Sequence, residues 1–528
     1  MMKHEDGIGR ILVSTLALPE WVRPTSATYL CSGKVLVTCR AAGDVKDVYR
    51  LAVVNDDGTD FRMIFEGEIP QHPKANGIRF MPFSDKKRIL LGDYVLECRP
   101  DVDRCERAEL IPVIYPSCLT DNPATTMHWS EIIIAPDNRH MAWTMLRSDI
   151  GAAVCLGVLE RIEDRYEIHQ TQIISSLSSF LPDTGREGYL IPQTVRGGEV
   201  KQFVHGGRAI SAVGGKTGNT PNSVVQYLDS GQLEQITYTP GYDETTLFSP
   251  DERLGIVMST RASKRTDPAF FGLLPRPHGV QTSMGISQLL YTFGVTGVRS
   301  CRQGNIGPVL IDIEKSMKVP GYTGVSLHDP DEQWVYCSPM SWHPDNRHIL
   351  WPEMLRGTGN APDGPVMRIR RAELPDYVPG SPAAPVETPD DVPYGIKDIH
   401  ALDNTIDANV EGRIAGKASG YIYHVHRLDG AYGGVTVSEY HDYSDDGECF
   451  YNGSERLTYG VLTESCYEAD VTLTGAKTGE MKLRATFAPM VGADPAGLLF
   501  EPGNDGLPKS YGYVSYEGRR IHMDDMRA

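Results

Sequence analysis

No Cys-x-x-Cys pair occurs among the ten cysteines, which stand at 31, 39, 98, 105, 118, 155, 301, 337, 449 and 466. This spacing argues against zinc ribbons and thioredoxin-type centres, and it fits thiols that stay reduced. The chain contains no run of about 18 apolar residues, so no membrane-spanning helix is expected. Positive charge is in deficit: 51 Lys+Arg against 69 Asp+Glu give a net charge of −18. That field excludes a general partner in nucleic acid or anionic membrane, while leaving room for a local basic pocket. Several catalytic signatures are also missing. There is no Gly-x-Ser-x-Gly elbow, no His-Glu-x-x-His and no Rossmann glycine fingerprint. Gly214-Gly-Lys-Thr217 ends like a phosphate loop, but Ile210 stands where the first glycine is needed. The start, MMKHEDGIGRILVSTLALPEW, has acidic residues and a short, interrupted apolar stretch instead of a secretory leader's basic start and long apolar run. The expected compartment is the cytoplasm.

What the chain does have is repetition. Residues 134–147 read IAPDNRHMAWTMLR and residues 342–356 read WHPDNRHILWPEMLR. A third copy, FSPDERLGIVMSTR, spans 248–261, with weaker copies FMPFSDKKRILLG at 80–92 and YSDDGECFYNG at 443–453. Each copy reads as a hairpin. Proline ends a strand, Asp and Asn favour the tight turn, and an apolar strand follows. Gly 53 and Pro 36 supply many further turns, and long amphipathic patterns are scarce. The fold class expected is therefore all-β.

The turn aspartates fall at 85, 137, 251, 345 and 446. With about 50 residues per four-stranded blade, the wider intervals each hold two blades. Hidden blades are expected near 190–240, 275–320 and 385–430. The reading is one β-propeller over 1–528 with about seven antiparallel blades, eight being the alternative. Two long segments elaborate it: an inserted loop at 262–307 over the funnel face, and a Pro/Gly-rich loop at 357–393.

The Ser-Pro-Asp turn followed by an apolar strand resembles the repeat of the Tol-type propellers. The resemblance touches about half of the chain through five copies, and it implies the fold without a function.

Strand direction places candidate residues. In a blade, the start of the first strand and the end of the second share one face of the disc, opposite the turn. Preceding the turns are His128, Trp129, Glu131, Asp243, Glu244, Tyr336, Ser338, Glu439, Tyr440 and His441. Following the second strands are Arg147, Arg261, Glu353, Arg356 and Asn452. Three arginines at one rim fit an anion-recognising funnel, since a guanidinium grips a carboxylate in a fork. Equally, they can tie blades together through carbonyls or carboxylates. His205 lies in the inner strand of a hidden blade, where it can join the funnel. The insert adds Lys264, Arg265, Phe270, Phe271, Arg276 and His278 to the mouth, or else it forms a contact between copies of the chain in a homo-oligomer. His424 and His426, at i and i+2 on a strand, point to one face and could hold a divalent metal with a third ligand from elsewhere. His343, in place of serine before Pro-Asp, caps its turn. His140 and His348 occupy equivalent structural positions.

The repeat and the His-x-His pair also resemble oligogalacturonate lyase-like propeller enzymes. That resemblance implies a lyase using histidines with a divalent metal, Mn or Ca, although Tyr421 stands where that family has a glutamine ligand. The function expected is an enzyme acting on a small carboxylated or oligosaccharide substrate. His128, His441 and Tyr336 are the candidate bases. Arg147, Arg261 and Arg356 are the charge stabilisers. Trp129, Glu131, Glu244, Glu353, Glu439, Asn452, His205 and His278 are the substrate contacts. A metal-free isomerase or hydrolase, and a non-catalytic binding propeller, are the alternatives.

Overall fold

The computed structural model describes residues 2–4, 7–41, 48–70, 80–117, 125–126, 131–147, 151–176, 179–215, 220–261, 263, 269–277, 289–300, 304–328, 333–361, 364–398, 409–429, 433–460, 462–489 and 497–527. Six antiparallel meanders follow one another along the chain. The first comprises Arg23–Tyr29, Val35–Arg40, Val48–Val54 and Arg62–Glu68. The second comprises Phe80–Pro82, Arg88–Leu91, Tyr94–Arg99 and Arg107–Ile114. The third comprises Ile132–Ile134, His140–Arg147, Gly151–Ile162 and Arg165–Ile173. A short parallel pairing at Val113–Tyr166 and Ile114–Glu167 joins the second to the third.

The fourth meander comprises Val200–Val204, Ala209–Gly214, Asn222–Tyr227 and Leu233–Gln235. The fifth comprises Asp243–Phe248, Leu254–Ser259, Val309–Asp312 and Val325–Ser326. The sixth has Trp334–Tyr336 and Ser341–Trp342 inside, then His348–Leu355 and Met367–Glu373. Its last strand is Gly9–Thr15, from the other end of the chain, with Leu12 opposite Glu373 and Thr15 opposite Arg370.

Apolar packing closes these sheets into a ring. The first and second meanders share a core of Leu36, Leu51, Ile89 and Leu96. The second meets the third through Leu90, Ile111, Trp143 and Met145. The third meets the fourth through Ala142, Val154, Ile210 and Val224, and the fourth meets the fifth through Val225, Val257 and Ile311. The fifth meets the sixth through Ile256, Leu310, Ile349 and Trp351. The sixth meets the first through Leu350, Ile369, Val35 and Val37. Strands so covered on both faces read as continuous apolar runs, as Val35-Leu36-Val37 does.

Local chemistry builds the repeated turn as expected. Asp85, Asp137, Asp251 and Asp345 each accept from the backbone N–H two residues on. The intervening residue, Lys86, Asn138, Glu252 or Asn346, takes a positive φ of 57–64°. Asparagine tolerates this region best, and here it has a second use. Asn138 Oδ1 accepts from Ser84 N–H and Asn346 Oδ1 from Asp251 N–H, each at 2.8 Å, so one sheet's turn caps its neighbour's.

Three expectations are corrected. Among the described residues the ring has six sheets, not seven or eight. The described residues near 385–430 and the copy at 443–453 form no blade of the ring. Residues 409–522 form a separate, nearly closed eight-stranded antiparallel sheet, from Asn409–Ala415 through Ser419–Leu428, Gly433–Ser444, Cys449–Gly460, Ser465–Gly475, Gly479–Phe487 and Tyr511–Tyr516 to Arg519–His522. The segment 357–393 is likewise more than a loop. It contains the strand Met367–Glu373 and then an extended strap along the turn side of the ring. There Asp376 binds Arg10, Asp251 accepts from Gly380 N–H, and Val386 N–H donates to the Gly206 carbonyl. Asp390 meets Arg139 and His140.

The eight-stranded sheet rests on the opposite side, where the insert leaves the fifth meander. Phe271 packs on Tyr467 and Phe487, and Tyr451 donates to the Pro275 carbonyl. Arg276, fully buried, pairs with Glu455, whose two oxygens also accept from Tyr440 and Tyr467. Among the described residues no helix is long and apolar enough to cross a membrane.

Candidate functional site

Inner strands of consecutive sheets begin on the side away from the Asp turns, and there the polar side chains converge. Glu131 precedes Ile132–Ile134 in the third sheet, Glu199 and Lys201 flank the start of the fourth, and Glu244 begins the fifth. The Lys201 ammonium lies 2.5 Å from Glu131, 2.9 Å from Glu199 and 2.7 Å from Glu244. Three carboxylates thus share one ammonium. Burial and the facing charges of Glu244 and Glu131 push the Glu199 carboxyl from its ordinary 4.5 up to about 7, although Lys201 opposes the shift. Lys201 itself is held charged well above its usual value, because the three carboxylates outweigh the cost of burial. Glu199 keeps 23% of its side chain in contact with solvent and Glu131 keeps 19%, so the cluster borders a hydrated space, not a dry core.

Tyrosines and one arginine surround the cluster. Tyr242 reaches Glu244 at 3.4 Å. Burial and the Glu244 charge raise the Tyr336 phenol above its usual range, and its hydroxyl faces Ser338 Oγ at 3.5 Å. Tyr291 comes from the insert. It sits within electrostatic reach of Arg299, Glu244, Glu199 and Lys201, yet 37% of its surface remains exposed. Arg299, also from the insert, donates through Nε to the Tyr336 carbonyl at 3.2 Å. Among the described residues no carboxylate pairs with Arg299. Burial works against its charge, while Cys337, Tyr291, Tyr336 and Glu244 hold the guanidinium protonated.

The expected site residues divide sharply. Glu131, Glu244 and Tyr336 lie in this axial group. His128, Trp129 and His278 fall outside the described residues, as does the side chain of Arg147. Arg261 binds Asp243 and Ser259 and borders a side cavity of ≈ 530 Å³ with Tyr238, Tyr322 and Arg519. Arg356 donates to the carbonyls of Val298 and Gly304. Neither points with the other into one anion-binding mouth.

Glu353 is buried between Trp351 Nε1 and Arg368. His205 lies at the turn end of its strand, bonded to Glu252 and stacked on Tyr227, so it does not join the funnel. His441, Glu439 and Asn452 belong to the eight-stranded sheet. His441 stacks on Tyr421 with Glu439 at 3.8 Å, and Asn452 caps Asp442.

His424 and His426 share one buried face of that sheet, as their spacing requires. Their Nδ1 atoms meet Ser438 and Thr436 at 3.0 Å, and Phe180 packs on His424. Hydroxyls and an aromatic ring are poor company for a divalent ion, and the pair belongs to no group of three ligating side chains among the described residues. The one such group is His343, Asp345 and His348.

The sequence reading missed Glu199, Lys201, Tyr242, Tyr291 and Arg299. The fourth sheet turns at His205-Gly-Gly207 instead of Ser-Pro-Asp, so its inner strand carries no flag. The available signal was the alternating polar pair Glu199 and Lys201 flanking Val200 just before an apolar strand.

No protein-family model matches the chain, and no curated protein matches it. Solved structures similar to it include TolB from Acinetobacter baumannii, at 11% identity over 67% of this chain and 64% of that one, with a TM-score of 0.27. Another is an oligogalacturonate lyase in complex with manganese, at 10% identity over 69% of this chain and 93% of that one, with a TM-score of 0.34. Likenesses at this level assign no activity.

Proposed function

We propose that the chain is an enzyme that moves a proton on a small carboxylated or sugar-like substrate held at the ring axis, in a lyase-type reaction. The observation that carries this reading is the Lys201 cluster, in which Glu199 is near neutrality and Glu244 lies within electrostatic reach of the Arg299 guanidinium. A base works best when its pKa lies near the working pH, and Glu199 meets that condition. In the forward step, Glu199 takes the proton α to the substrate carboxylate, the C–H electron pair becomes the new C=C bond as the β C–O bond breaks, and the leaving oxygen takes up a proton from Glu199 or solvent. Arg299 faces the charge that develops on the carboxylate oxygens. Lys201 holds Glu131 and Glu244 in place through its ion pairs. Tyr291, partly exposed above the cluster, offers a ring and a hydroxyl to a sugar. The base role thus passes from His128 and His441 to Glu199, and the charge-stabilising role from Arg147, Arg261 and Arg356 to Arg299. The reading invokes no metal at His424 and His426. It has the protein act in the cytoplasm, without nucleic acid or membrane as a partner.

The test is incubation with uronate oligosaccharides while following ultraviolet absorbance of an unsaturated product. Absorbance should rise with the wild-type chain. With Glu199→Gln it should rise about 10²–10⁴-fold more slowly, as expected when a positioned base is removed. No rise with the wild type, together with no heat of binding for uronates, would overturn the proposal.

A further inference from the structure

We propose that His343, Asp345 and His348 form a binding site for a divalent transition-metal cation, probed here as Zn²⁺, at the seam between the sixth and first sheets. The repeat shows what is unusual there. In the fifth sheet the residue before Pro-Asp is Ser249, whose hydroxyl donates to Asp251 Oδ1 at 2.6 Å and accepts from Leu254 N–H at 3.1 Å. A hydroxyl can do both at once. The third sheet has Ala135 in this place and the sixth has His343. An imidazole nitrogen either donates or accepts. His343 Nδ1 accepts from the Asp345 N–H at 3.0 Å, and Asp345 Oδ1 stands 2.9 Å from the same nitrogen. That nitrogen has a single lone pair, so accepting the N–H, donating a proton to Asp345 Oδ1 and ligating a cation are alternatives, and a cation held by both side chains takes the place of the other two.

The second imidazole completes the set. His348 Nδ1 lies 2.8 Å from the other oxygen, Asp345 Oδ2. The ligating atoms of all three side chains fall within 4.8 Å of one another. The equivalent pair in the third sheet is closed to a metal. His140 is buried, with Nδ1 on Asp137 at 2.7 Å and Nε2 on Asp390 of the strap at 2.8 Å. In the sixth sheet, among the described residues, the strap sends no carboxylate to His348. His343, Asp345 and His348 keep 19%, 36% and 18% of their side chains exposed, so water can complete the coordination shell.

Two imidazoles and one carboxylate suit Zn²⁺ and its neighbours better than Mg²⁺ or Ca²⁺. The location gives the ion a task. The His343 ring lies edge-to-face with Tyr29 at 4.9 Å, and Gly33 leaves it room, since a Cβ there would come within 2.5 Å of Nε2. An ion fixing His343 would therefore fasten the last sheet to the first.

The test is calorimetric titration of the chelator-treated full chain with Zn²⁺, paired with thermal melting. One equivalent should bind, and the melting point should rise with zinc because only the folded chain gathers the ligands. His343→Ser, which copies Ser249, should melt like the metal-free wild type and bind zinc at least tenfold more weakly. His348→Ala should weaken binding similarly. Absence of stoichiometric uptake, or uptake undiminished in both variants, would overturn the assignment.

Discussion

Three carboxylates sharing one ammonium cannot all stay ionised at no cost, and Glu199 is the member that yields. Its folded pKa, about 7, lies above the ordinary 4.5. The folded chain therefore holds this proton more tightly than the unfolded chain does. Its contribution to stability is fully present below about pH 4.5 and is lost as pH rises through 7. Denaturant unfolding across pH 4.5 to 7.5 should show Glu199→Gln losing less stability over that window than the wild type. Equal slopes would mean that Glu199 is not the titrating group. At this scale the sequence was partly legible. Glu131, Glu244 and Tyr336 were found because they precede recognisable strands and turns. The roles expected of Arg261 and Arg356 failed because a strand end says where a side chain starts, and neighbouring carbonyls and carboxylates decide where it goes.

The Asp turn shows what an element knows of its surroundings. The copy at 443–453 forms the same local structure as the others, with Asp446 accepting from Glu448 N–H at 2.8 Å and Gly447 at φ 75°. It nevertheless sits in the eight-stranded sheet, since a turn motif specifies a hairpin and not the sheet that receives it. The insert is the converse case: little in its sequence marks a strand or helix, yet it supplies Tyr291 and Arg299 and anchors the eight-stranded sheet through Arg276. That anchor is testable. Arg276 and Glu455 are both buried, at 0% and 1% exposure, so Arg276→Met leaves a carboxylate without its cation. The expected loss is about 3–5 kcal/mol. Hydrogen exchange should show it as faster opening of residues 269–277 and 465–487, with the first sheet unchanged. Uniform loosening, or none, would refute a local anchor.

For the whole molecule the decisive contact is the return of Gly9–Thr15 to the sixth sheet. Without it Met367–Glu373 becomes an open edge, and Arg10 no longer binds Asp376. A chain beginning at residue 16 should melt lower by roughly 5–10 °C or more and aggregate on heating. An unchanged melting point would show that packing between sheets alone closes the ring.

The sequence by itself determined the all-β class, the repeated hairpin with its Asp-led turn, and the side of the disc where polar residues gather. These follow from dihedral preferences and strand direction, which act over a few residues. The number of sheets, the transfer of the described residues between 409 and 522 to a separate sheet, and the meeting of Glu131, Glu199 and Glu244 around Lys201 were decided only in the tertiary structure. Each depends on which apolar faces cover one another at long range, and adjacent residues carry no record of that choice.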